Sequence, residues 1–132
     1  MFDEISHISI RDVKNHYLLR KAIHSELIIL LQARQIDKYV QLALGISNAH
    51  GNYSAAEHNH GPKILYENIN APKRVFELGE RLLSCKDVRE IPSIIYKANI
   101  SNLKISVGSE MALILQPNKF WVGNVRTIGP IF

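Results

Sequence analysis

The chain has 132 residues and a mass of 15.0 kDa, the size of one domain, so residues 1–132 are read as a single unit. Hydrophobic residues make up 46% and charged residues 21%, which excludes an intrinsically disordered chain and allows a core without metal or disulfide staples. Sixteen Lys and Arg against twelve Asp and Glu give a net charge of +4 and a pI near 9.3. These basic residues never form a run of four, so the charge describes a solvated basic surface better than a polyanion-binding stripe.

Met1-Phe2-Asp3-Glu4 is acidic where a signal peptide is basic, and the apolar run Leu27–Leu31 is far shorter than the ~20 residues of a membrane span. Cys85 is the single cysteine, so no intramolecular disulfide and no Cys-based zinc pattern can form. The expected setting is cytoplasmic, without a membrane. Cys85 itself reads as a small buried hydrophobe at a helix end.

In chain order, Ser9-Ile10-Arg11-Asp12 resembles a capping box. From there Val13, His16, Leu19, Ile23, Leu27 and Leu30 recur at three- and four-residue steps, the face of an amphipathic helix. A second set, Ile36, Tyr39, Val40, Ala43 and Ile46, continues the spacing, and two helices broken near Gln35 are preferred to one long one. Gly45 and Asn48 are candidate stops. Residues 47–63 carry Asn48, Gly51, Asn52, Ser54, Asn59, Gly61 and Pro62, which predicts a long loop. Asn70-Ala71-Pro72 starts another helix, with Val75, Phe76, Leu78, Leu82 and Leu83 apolar and Gly79 placed for close packing. Pro92 opens a shorter helix, ended by Asn99.

Beyond Asn99 the period changes. Leu103, Ile105 and Val107 alternate with Lys104 and Ser106, and Phe120-Trp121-Val122 is strand-like in composition. Residues 102–126 are therefore read as a three-strand meander, with a short helix over Met111–Leu115 as the rival for the middle strand. The expected class is α+β: about four N-terminal helices followed by a small C-terminal antiparallel β-meander.

Two groups of residues carry chemical interest. His50, His58 and His60, with Glu57, fall within eleven residues. In an extended segment His58 and His60 project to one side, as half of a site for a divalent transition metal such as Zn²⁺ or Ni²⁺. The competing reading is a polar loop that collects His and Asn because they suit turns. The second group is Lys104, Lys119, Trp121 and Arg126, aromatic and basic residues that a sheet would present to a nucleic acid or protein partner. His24 reads as a packed histidine with one hydrogen bond, and Glu77 and Glu80 with Lys73, Arg74 and Arg81 as a salt-bridged outer face. Leu27–Leu31, apolar on every side, predicts all-round burial in the core or in a homodimer.

Phosphate-loop, dinucleotide and nucleophile-elbow motifs are absent from the sequence. The favoured reading is a non-enzymatic binding or regulatory module contacting protein or nucleic acid. The alternatives are a metal-binding protein or small metal-dependent hydrolase built on the histidine loop, and an oligomeric subunit packed through the first helix.

Overall fold

The structure, a computed structural model, describes residues 18–117, whose regular elements are all helical. Helix α1 covers 18–32, α2 Ile36–Ala43, α3 Tyr53–Glu57, α4 His60–Glu67, α5 Ala71–Ser84, α6 Ile91–Ala98 and α7 Ile105–Leu115. Single 3₁₀ turns at Ala49–Gly51 and Val88–Glu90 precede α3 and α6. Helix α5 is the hub, packing against α2, α4, α6 and α7.

The break near Gln35 is present, and its chemistry is explicit. Arg34 takes a left-handed conformation (φ 54°), and the Arg34 and Gln35 amides donate back to the Leu31 and Leu30 carbonyls at 3.1 and 2.9 Å. This pair of bonds satisfies the last carbonyls of α1, a closure usually built on Gly. Arg34 is held there by lying over the Phe76 ring at 5.2 Å and pairing with Glu80 at 3.2 Å. Gly45 closes α2 the same way at φ 68°.

The core is built on α1 Ile23, Leu27 and Leu31, spaced by four, and on α2 Tyr39, Val40 and Leu42 against α5 Val75, Phe76, Leu78 and Leu82. Tyr39 is fully buried with its ring edge-on to Phe76, centroids 5.7 Å apart. Its hydroxyl lies where a Cβ on Gly79 would be, 2.3 Å away, so only glycine lets α2 and α5 approach this closely. That is the close packing Gly79 announced. The hydroxyl has no hydrogen-bond partner among the described residues, and burial pushes its pKa far above the ordinary tyrosine value.

Three expectations are corrected. The described residues contain no strand, so the chain is all-α over 18–117 rather than α+β. Leu103, Ile105 and Val107 span a loop and the start of α7, with Leu103 and Val107 buried and Ile105 exposed. Buried Val107, Gly108, Met111, Ala112, Ile114 and Leu115 follow helical steps against α3, α5 and α6. Five alternating residues imitated a strand, and packing overrode β-propensity. The expected third strand, with Phe120, Trp121 and Val122, lies outside the described residues.

Residues 47–63 are not a long loop. Asn48 and Asn52 act as helix caps, accepting from the His50 and Ala55 amides at 2.9 and 3.1 Å. Residues that suit turns also start helices. All-round burial of Leu27–Leu31 within the core is also corrected: Leu27 and Leu31 are buried, but Ile29 is 63% exposed on the single chain, which does not bear on burial in a homodimer.

Candidate functional site

The histidines do not converge. His50 precedes α3, and its Nδ1 meets the Tyr53 hydroxyl. His58 ends α3, His60 begins α4, and their rings lie edge-on with centroids 5.7 Å apart. Among the described residues Glu57 pairs with the exposed His58, at 4.0 Å. Among the described residues no three His, Cys, Asp or Glu side chains are grouped to hold a metal ion. The metal reading needed an extended segment with period-2 projection; a helix, a turn and a second helix stand there instead.

His50 belongs to a different constellation, centred on Glu110 of α7. One carboxylate oxygen accepts from Arg20 of α1 at 3.0 Å and from the Tyr53 amide; the other accepts from the Ser54 amide at 3.0 Å and its hydroxyl at 2.8 Å. Arg20 also donates to the His50 carbonyl at 3.2 Å and lies over the Tyr53 ring at 5.2 Å. Burial works to raise the Glu110 pKa, but the Tyr53 and Ser54 amides, the Ser54 hydroxyl and Arg20 outweigh it, holding the carboxyl below its ordinary range. Beside it Asn52, fully buried, donates to the Val107 carbonyl at 3.0 Å while capping α3. Glu110 thus caps α3 from another helix and pairs with α1, joining three helices.

The second candidate region lies at the far end of α7. An open groove of about 760 Å³ runs between the C-terminal half of α6 and the segment leading into α7. Buried Ile95, Ile100 and Leu103 form its base, and Tyr96, Lys97, Lys104 and Ile105 stand around it. Tyr96 is 85% exposed and Ile105 51%. Among the described residues that line the groove, none is acidic. Gly108 lets α7 close on α6, since a Cβ there would lie 2.5 Å from Ile95.

The wall of this groove is rigidly held. Asn99 and Asn102 are both left-handed, at φ 51° and 70°. The Asn68 side chain brackets Ser101, donating to its carbonyl and accepting from its amide, both at 2.9 Å. Asn102 donates to Glu67. Arg74 donates to the Ala98 and Asn99 carbonyls at 3.3 and 2.6 Å, covering the negative end of α6. Arg74 is therefore engaged with a helix terminus and Glu80 with Arg34, in place of the expected mutual pairing along α5.

Of the sequence-derived partner residues, Lys104 stands in this groove as the exposed residue preceding α7, whereas Lys119, Trp121 and Arg126 lie outside the described residues. Sequence reasoning missed Tyr96, Lys97 and Ile105. Tyr96 was the legible one: Ile94, Ile95 and Ala98 mark the inner face of α6, which leaves Tyr96 on the outer face beside a lysine. His24 matches its reading, with Nδ1 2.8 Å from the Ile114 carbonyl, and Cys85 is buried as expected. No helix among the described residues is long and apolar enough to cross a membrane. Set against known protein families, curated proteins and solved structures, the chain matches none of them.

Proposed function

We propose that the protein is a non-enzymatic binding module that contacts a partner protein through the α6–α7 groove. The observation that carries this reading is the groove itself: about 760 Å³, apolar at its base, with Tyr96 and two lysines around it. Binding sites combine an apolar floor with a few polar groups, and exposed tyrosine contributes large contact area at low entropy cost. Two ordered asparagine turns and the Asn68 bracket hold the wall in place, so little freedom is lost on binding.

Magnitude favours protein over nucleic acid as the partner. Two lysines neutralise about two phosphates, which for a single strand gives a salt slope of only about −1.4. That is weak anchoring, whereas the apolar base offers area that a nucleic acid backbone leaves unused.

The test is cross-linking from the groove. A photoreactive amino acid in place of Tyr96, irradiated in extract from the source cells, is expected to cross-link one protein. Identified by mass spectrometry and purified, that protein should bind the wild-type chain and lose binding to Ile105→Asp. Equal binding to both chains, or cross-links only to nucleic acid, would contradict the reading.

A further inference from the structure

We propose that the occupant of the α6–α7 groove is an acidic segment of the partner, with one apolar side chain seated on Ile95, Ile100 and Leu103 and carboxylates beside it paired with Lys97 and Lys104. This rests on the protein-binding reading above and gives the partner its chemistry. The open groove combines an apolar base with charge of one sign. Both charged residues that line the groove are cationic. The nearest helix terminus that would repel a carboxylate, the carbonyl end of α6, is covered by the Arg74 guanidinium. Glu67 is engaged by the lining residue Asn102, to which it is bonded. A carboxylate entering beside Lys97 and Lys104 thus meets attraction, and the volume suits an anchor side chain with its flanking residues.

The backbone of the wall takes no part in this chemistry. The Ser101 amide and carbonyl are both engaged by Asn68, so the wall offers no strand edge for pairing. Recognition therefore falls to side chains: Asn99, exposed at the end of α6, the two lysines and Tyr96.

Two terminally capped ten-residue peptides test this, each with one central Phe, flanked in one by three Glu and in the other by three Gln. Fluorescence anisotropy of labelled peptides is read at low salt for wild type, Lys97→Ala/Lys104→Ala and Tyr96→Ala. Two exposed ion pairs predict about threefold to tenfold tighter binding of the Glu peptide. The double lysine variant should lose that preference yet still bind the Gln peptide; Tyr96→Ala should weaken both. Equal affinity of wild type for the two peptides, or no binding of either at millimolar concentration, overturns the acidic-segment proposal. Tighter binding of a ten-nucleotide thymidine strand than of the Glu peptide overturns it in favour of nucleic acid. The cross-linking result stands apart: a protein captured through Tyr96 whose contact segment is not acidic contradicts this inference and leaves the protein-binding reading intact.

Discussion

Around Glu110, polar side chains from α1, α3 and α7 are bonded to one another; around the α6–α7 groove, bonded polar groups tie down the backbone while Tyr96, Lys97, Lys104 and Ile105 face outward. The first region resembles a functional constellation, with His50, Tyr53, Ser54, Arg20 and Glu110 in contact. Its geometry is that of a helix cap reinforced by an ion pair. The Glu110 carboxylate accepts four hydrogen bonds, which makes it a structural acceptor in place of a proton-transfer group. The groove reverses this arrangement. Its backbone is tied down by Asn68 and Arg74, and its side chains are left for something else to meet. Structural ion-pair networks can gather the same residue types as functional sites, so clustering alone does not mark function.

The largest expected effect tests that contrast at its structural end. Glu110→Ala leaves the Arg20 charge and the first amides of α3 without their acceptor, and should cost roughly 2–4 kcal/mol in urea unfolding. A loss below 0.5 kcal/mol, the range of an ordinary surface substitution, would show that the cluster is not a lock.

Gly79→Ala comes next. Its new methyl group meets the Tyr39 hydroxyl, and the expected loss is about 1–3 kcal/mol. Tyr39→Phe removes a buried hydroxyl that has no partner among the described residues, so alone it should be neutral or slightly stabilising. Combined with Gly79→Ala it should recover part of the loss, and strict additivity in the double variant would contradict the contact.

A smaller effect concerns pH. Because the folded Glu110 carboxyl is held below its unfolded value, its contribution is fully present above the unfolded pKa of about 4.3. It is lost as pH falls through the folded value. The stability gap between wild type and Glu110→Gln should therefore be constant near neutrality and narrow in acid below about pH 4. A gap that widens in acid would reverse the sign of the account.

The smallest stability effect belongs to the groove. Lys97→Ala and Lys104→Ala should each change unfolding by less than about 0.5 kcal/mol, because exposed lysines contribute little to stability. The contrast sharpens if these silent substitutions alter partner binding while the damaging Glu110→Gln, where still folded, does not.

Much of the helical order was legible because it rests on local chemistry. The stop at Gly45, the start at Ala71-Pro72 and the left-handed Asn99 follow from capping preferences, and the break near Gln35 from helix length, although its left-handed residue, Arg34, is held by Phe76 and Glu80. What was not legible depended on tertiary partners. Leu103 to Val107 has a strand's alternation, and only packing of Val107, Met111 and Ala112 against α3, α5 and α6 makes the segment from Ile105 onward helical. Asn48 and Asn52 looked like loop residues because the same side-chain oxygen that closes a turn also caps a helix. The Glu110 cluster joins residues separated by 56 to 90 positions, which no spacing rule anticipates. Lys104 was legible as a partner residue, though for a sheet surface; the structure seats it at a helix start beside Tyr96 and Lys97.

The most direct test of the central claim is an amide-resolved NMR titration of the chain with the Glu-containing peptide. The account predicts that shifts concentrate at residues 92–105, with Tyr96, Lys97, Lys104 and Ile105 among the largest, while Tyr53, Ser54 and Glu110 stay unmoved. Shifts centred on the Glu110 cluster with a silent α6–α7 segment would contradict it.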